Sequence, residues 1–291
     1  MLENIRLSFQ GVWSHRLRSF LTMLGIIIGI AAIIAIVSTI KGTNEQIKKN
    51  LIGSGTNTTT VQLTEEGNYP AEMEYGIPKG IPVLDDDMRQ QLADIDHVKD
   101  ASLYVSRTQV DYIYYNDTSL SGGQLIGADS HYLGTCGYIM KRGRGFTDSD
   151  YEKYRKVAVI DSVAADSLFG EANPVGKTID IKGEPFIVIG VIEESTAFSP
   201  VINSVEDYYT YVYNDGSASG IVVIPDVDWN IVQQYDEPQN AKLLADSTDN
   251  MTSVGKAAQT LLNETVTSKS IKYRAANMNE TAEESQQVSA T

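Results

Sequence analysis

Ser19 to Ile40 runs for 22 residues without a charged side chain. As a helix rising ~1.5 Å per residue, it is about 33 Å long. The hydrocarbon core of a bilayer is about 30 Å thick, so this stretch is long enough to span it. A buried helix in a soluble core is the competing reading, but such helices rarely run this long without a charge. A cleaved signal peptide is the other rival. Its apolar region is about 7–15 residues, shorter than this one, and 18 residues precede the stretch here. Residues 19–41 are therefore expected to form a transmembrane helix.

Orientation rests on the flanks. Arg6, Arg16 and Arg18 precede the span, and Lys41, Lys48 and Lys49 follow it. The short-range count is a tie. Arg16 and Arg18 lie closest to the membrane edge and lean toward a cytoplasmic N-terminus. Within residues 1–18, Leu2, Ile5, Phe9, Val12 and Trp13 recur near helical spacing opposite Arg6, His15, Arg16 and Arg18. An amphipathic helix at the lipid interface is expected there, with Arg16 and Arg18 as its basic residues. A plain helical lead-in to the span reads the same residues. Gly25 and Gly29 sit one turn apart within the span, a spacing that lets a second helix approach closely.

The remaining 250 residues contain no second run of spanning length; the longest apolar stretch, Phe186–Ile192, has strand length. The whole chain carries a net charge of −15, which excludes nucleic acid as a partner because phosphate binding needs excess Lys and Arg. A solvated exterior or cationic partners suit such acidity. The single cysteine, Cys136, rules out an internal disulfide. His15, His97 and His131 have no metal-ligand spacing.

Elements follow from period and punctuation. Asp85–Asp87 is expected to start a helix reaching about Ile95, its acids lying at the positive end of the helix dipole. Strands are expected at Thr59–Leu63, Ser102–Thr108, Val110–Tyr115, Val157–Ile160, Thr178–Ile181, Pro185–Val191, Ile221–Ile224 and Ala241–Ala245. A hairpin turn is expected at Lys182-Gly183-Glu184. Helices are expected through Ala164, Ala165 and Leu168, and over Thr248–Leu262. Strands and helices mix without strict alternation, so the fold class is α+β. Glu65–Gly80 and Asn214–Ser219 are the softest stretches.

Several motifs have a bland reading beside a sharper one. Gly170 to Thr178 looks like a P-loop, but five residues separate its glycines where four are needed. It reads better as a turn between helix and strand, so no nucleotide cofactor is expected. Asp226 and Asp228 follow a strand, where they could hold a cation, but such acids more commonly lie on solvated faces or serve as caps. No nucleophile–base set stands out, so no catalytic residue is expected. Tyr208, Tyr209, Tyr211 and Tyr213 form an aromatic run, and Tyr112, Tyr114 and Tyr115 a second. Tyrosine suits binding surfaces; ordinary cross-strand packing explains both runs as well. The first run is the candidate contact for a substrate or partner.

Leu17-Arg18-Ser19-Phe20-Leu21-Thr22-Met23-Leu24-Gly25-Ile26-Ile27-Ile28-Gly29-Ile30-Ala31 closely resembles the first-span signature of MacB-type ABC transporter permeases. Further similar blocks follow in family order. They are Gly55-Thr56-Asn57, Gly143-Arg144-Gly145-Phe146-Thr147 with Asp150, Val157–Ile160, Leu168-Phe169-Gly170, Asn173-Pro174-Val175-Gly176-Lys177, Phe186–Val191 and Ile221–Pro225. The resemblance implies a four-span permease whose outer domain lies between spans one and two, so residues 42–291 would be extracytoplasmic. It implies two subdomains, an α/β unit from about 42–100 and 225–291 and an inserted β-rich unit from about 101–224. It also implies a dimer with a second permease copy, driven by a separate cytoplasmic ABC ATPase, with a membrane-fusion-type accessory protein and membrane lipid as further partners. The exported substrate would be a peptide, an antibiotic or a lipoprotein. MacB itself carries its ATPase ahead of the permease, whereas this chain opens at the permease, and three further spans are expected beyond Thr291. The alternative is a binding or adhesion module on a single anchor, needing neither an ATPase nor further spans.

Overall fold

The structure, a computed structural model, describes residues 16–51, 57–65, 70, 71, 73, 76–193 and 220–275. The chain divides into two compact units, Met1–Lys48 and Lys49–Thr291.

One helix dominates the first unit. Helix α1 runs Arg16–Leu51, so the span is part of a 36-residue helix that extends past both ends of the expected 19–41. Within it, Phe20–Thr39 is long and apolar enough to cross a membrane, and none of that stretch is buried. Phe20, Met23, Ile26, Ile27, Ile28, Ile33 and Ile34 are all exposed, covering every side of the helix. A helix apolar all round needs either a protein core or lipid around it. Two of its threonines bond back within the helix: Thr22 Oγ1 donates to Arg18 O at 3.0 Å and Thr39 Oγ1 to Ala35 O at 2.9 Å. Residues 1–15, and with them most of the expected amphipathic helix, lie outside the described residues.

The second unit is built on one mixed, hydrogen-bonded sheet. Its strands are β1 (Thr58–Thr64), β2 (Val98–Val110), β3 (Ile113–Tyr115), β4 (Thr118–Ser119), β5 (Gly123–Ala128), β6 (Ile139–Gly143), β7 (Val157–Asp161), β8 (Thr178–Ile181), β9 (Glu184–Glu193), β10 (Ile221–Pro225), β11 (Asn240–Ala245) and β12 (Lys272–Ala275). Their order is β12-β1-β11-β2-β5-β10-β7-β9-β8-β3-β4, with β6 paired to β9. The β5–β10 and β7–β9 pairs are parallel; the other pairs are antiparallel. The helices are α2 (Asp86–Ala93), α3 (Tyr132–Thr135), α4 (Asp148–Glu152), α5 (Ser162–Phe169), α6 (Trp229–Val232) and α7 (Met251–Glu264).

Local chemistry explains several boundaries. Asp85 caps α2 by accepting from Met88 N at 2.9 Å, and α2 stops at Ala93, short of Ile95. Asp161 caps α5 through Ala164 N at 2.7 Å. The β8–β9 hairpin turns at Lys182 and Gly183, both with positive φ (57° and 90°). That backbone matches the twist of the flanking strands. The chain near 110 departs from expectation. β2 continues to Val110, and positive φ at Gln109 accompanies a register shift between Arg107 and Val110. Only Ile113–Tyr115 forms the next strand. Helix α7 likewise starts at Met251, after a 3₁₀ turn over Thr248–Asn250.

Three apolar clusters flank the sheet. The first joins Val61, Leu63, Leu92, Ala101, Leu103, Leu243, Val254, Ala258, Leu262 and Tyr273. The second joins Val105, Ile113, Leu125, Ile160, Leu168, Phe186, Val188, Ile224 and Trp229. A smaller one holds Tyr104, Ile126, Tyr132, Cys136, Val159, Ile192 and Val223. Strand β2 feeds all three: Ala101 and Leu103 point into the first, Tyr104 into the third, and Val105 and Val110 into the second.

Candidate functional site

Gly25 and Gly29 lie four apart on α1, where side chains stack one turn above another. A Cβ built on either meets nothing within 4 Å, so this strip of backbone is open in the isolated chain. Arg18 is exposed at the start of the apolar stretch, and Arg16 is the first residue of the helix.

In the second unit, charged side chains gather at three places. The first is the block from Gly143 to Asp150. Asp150 is fully buried, and Arg144 donates to it twice, Nη1 at 2.6 Å and Nη2 at 3.1 Å. Arg155 Nη1 approaches its Oδ1 at 3.5 Å. Asp150 also accepts from Thr147 N at 2.9 Å and Thr147 Oγ1 at 2.8 Å, closing the first turn of α4. The Arg144 guanidinium and these Thr147 bonds hold the Asp150 carboxyl well below the usual carboxylate range. This block ties β6 to α4.

The second place bridges β2 and the segment after α6. Arg107 donates to Glu237 and lies over the Trp229 ring, 5.6 Å from its centroid. Burial pushes the Glu237 carboxyl up while Arg107 opposes it. Close by, Gln233 Nε2 donates to Tyr112 Oη at 2.9 Å, and Lys182 lies over the Tyr112 ring at 5.5 Å. Tyr115 packs on Phe169 with centroids 4.1 Å apart, and Tyr114 is exposed on β3. The second tyrosine run is therefore divided between packing and surface.

The third place is the common end of β5, β10 and β7. Asp129 follows β5, Asp226 and Asp228 follow β10, and Lys156 precedes β7. Tyr151 donates to Ala128 O at 3.0 Å. Asp129 accepts from Ser102 Oγ (2.7 Å), Leu103 N (2.6 Å) and His131 N (3.0 Å). Burial pushes both Asp226 and Asp228 up to about 6. Asp228 is fully buried and stands at the N-cap position of α6 without a side-chain capping bond, which departs from the reading of these acids as solvated faces or caps. Among the described residues no three His, Cys, Asp or Glu side chains converge as metal ligands.

The P-loop lookalike folds as a turn. Asn173 Oδ1 accepts from Val175 N at 3.2 Å and Lys177 N donates to Pro174 O at 3.0 Å, leading into β8. Tyr208, Tyr209, Tyr211 and Tyr213 lie outside the described residues.

A helix long and apolar enough to cross a membrane, followed by a mixed-sheet domain, defines an α+β protein with one candidate span. Comparison with known proteins makes the class specific. The family model for the MacB-like periplasmic core domain matches residues 19–261. An uncharacterised ABC transporter permease of Bacillus subtilis (strain 168), YvrN, is 35% identical over 269 residues, 91% of this chain and 62% of the relative. The macrolide export ATP-binding/permease protein MacB of Campylobacter fetus is 32% identical over 213 residues, 73% of this chain and 32% of that protein. Among solved structures, the periplasmic region of MacB from Actinobacillus actinomycetemcomitans superposes with a TM-score of 0.57 at 20% identity, covering 84% of this chain and 98% of that one, which establishes the fold. The chain belongs to the MacB-like periplasmic core domain family. It spans less than two thirds of the length of these two relatives.

Proposed function

We propose that this chain transmits motion in an ABC transporter: ATP binding and hydrolysis on a cytoplasmic ATPase subunit shift α1, and α1 drives an extracytoplasmic domain that expels a peptide, antibiotic or lipoprotein-like substrate. The observation that carries this reading is the length of α1. It stays helical for 12 residues beyond Thr39, where its apolar stretch ends. A continuous helix transmits displacement along its axis, whereas a flexible linker would absorb it. A separate ATPase is supported by the Bacillus relative, named as a permease alone and matched over 91% of this chain. The N-terminus would face the cytoplasm, and a second permease copy would complete the translocating unit against the Gly25–Gly29 strip. A membrane-fusion-type accessory protein would receive the substrate outside.

Gly42 is helical just past the apolar stretch and offers the test. Proline there removes a backbone hydrogen bond and kinks the helix at a cost of about 3 kcal/mol. In the full-length permease with its ATPase in proteoliposomes, Gly42→Pro is expected to insert normally yet lose ATP-coupled transport, while Gly42→Ala retains it. Undiminished transport by an inserted Gly42→Pro protein overturns the mechanism. An anchored binding module would be indifferent to either change.

A further inference from the structure

The chain passes between the first and second apolar clusters by two routes. One is β2. The other is the return connection from β10 to β11, residues 226–239, whose flanking strands supply Ile224 to the second cluster and Leu243 to the first. This connection is fastened along its length. Trp229 is buried against Gly127, where a Cβ would stand 2.5 Å from the indole. Gln233 is held by Tyr112 and Glu237 by Arg107. Gln239 exchanges hydrogen bonds with the Leu84 backbone at 2.7 and 3.1 Å, and its own carbonyl accepts from Tyr273 Oη at 2.8 Å.

Asp228 interrupts this pattern. Both its carboxylate oxygens are buried, and neither has a hydrogen-bond partner among the described residues. Trp229 Nε1 and Glu237 Oε2 also lack partners of full hydrogen-bond geometry, but they face each other. An ionised carboxylate enclosed without donors is among the costlier groups a fold can hold, and protonation removes that cost.

We propose that Asp228 is a proton-operated latch on the return connection: neutral, it lets the turn over Asp226–Val232 seat against the ends of β5, β10 and β7, and ionised, it loosens that seat. The surrounding charges do not quench it. Among the described residues Lys156, before β7, is the cation acting on Asp228, and it is engaged with Glu184 of β9 at 2.6 Å. From α4, Tyr151 faces the cluster but spends its proton on Ala128 O. Asp226 on the same turn opposes the ionisation of Asp228, and is itself opposed by Asp129 at the end of β5 and by Asp236.

The sign follows from the direction of the shift. Each carboxyl is raised to about 6 from an unfolded value of about 3.9. The native state therefore binds these protons more tightly than the unfolded state does. The seat is tightest below about pH 4, weakens between about pH 4 and 6, and is fully loosened above that. Two pKa units correspond to about 100-fold per group in the equilibrium between seated and open forms.

The test is hydrogen exchange of the 226–239 amides in the full chain in nanodiscs, corrected for the intrinsic pH dependence of exchange. From pH 5 to 7.5 the opening equilibrium of the parent is expected to rise on the order of 10–100-fold. Asp228→Asn should remove most of that rise. Asp226→Asn should keep it but move it to lower pH, because a neighbouring like charge has gone. An unchanged opening equilibrium in the parent between pH 5 and 7.5 overturns the proposal, and that measurement stands even if Asp228→Asn fails to fold. A folded Asp228→Asn protein with the parent's pH response overturns it equally.

Discussion

Gly143 shows how much one position can constrain. Its φ is +74°, and a Cβ there would stand 2.1 Å from Ile189 O and 2.9 Å from Gly190 Cα. Both atoms are backbone and cannot rotate away, so Gly143→Ala is expected to destabilise the domain by about 2–4 kcal/mol, measured by urea unfolding. An alanine variant within about 0.5 kcal/mol of the parent would contradict this geometry. Seven residues on, Asp150 acts through charge. Its depressed carboxyl contributes stability that is fully present above the unfolded value of about 3.9 and is lost as pH falls below it. Asp150→Asn should cost about 2–4 kcal/mol at pH 7 and flatten the acid side of the stability profile. A parallel acid limb in the variant would assign that limb to other carboxylates. The block Gly143–Thr147 with Asp150 was legible as a family motif, but its pairing was not. Arg144 lies in the loop just past β6 and Asp150 on α4, six positions apart, so no periodicity links them. Arg107 and Glu237, 130 positions apart, carried no local signal at all.

Elements were legible where a period or a stop residue marked them. The apolar span, the Asp-capped α2, the hairpin at Lys182-Gly183 and the Pro225-terminated β10 could all be read from the chain. Four strands were missed for identifiable reasons. β4 is two residues long, both exposed, too short for any period to show. β5 is bounded and interrupted by glycines. β6, Ile-Met-Lys-Arg-Gly, is exposed at every residue and so shows no alternation. β12 has a single buried residue, Tyr273. Helix α1 carries a prediction of its own. Gly25→Leu and Gly29→Leu add side chains to the open strip, while leucine favours the bilayer by roughly 0.3–0.6 kcal/mol at a helix centre. Membrane levels are expected to hold while dimer crosslinking and ATP-coupled export fall several-fold. Normal crosslinking and export in both variants would mean that the strip faces lipid.

At the scale of the whole domain, β2 gives the apolar clusters a common backbone. Loss of packing in one cluster should therefore be felt in the others. Leu243→Ala and Ile224→Ala, in different clusters, should each cost about 2–5 kcal/mol and lower the same cooperative transition. The check is to follow Trp229 fluorescence and far-ultraviolet circular dichroism through the same denaturant titration. Separated midpoints in either variant would show that the clusters melt independently. The α+β class was legible from the mixture of periods, but the strand order was not. Neighbours such as β1 and β12 are brought together from opposite ends of the domain, and pairing at such range leaves no mark in a local window. The two ends of that order have a consequence for assembly. Among the described residues one terminates in β12, four residues long with Lys272 and Arg274, the other in β4, two residues long. Unpaired strands invite other chains to add to them, and short or positively charged margins discourage it. Two copies of this domain held side by side above a membrane should therefore meet through side chains rather than by merging their sheets, and remain free to separate and rejoin.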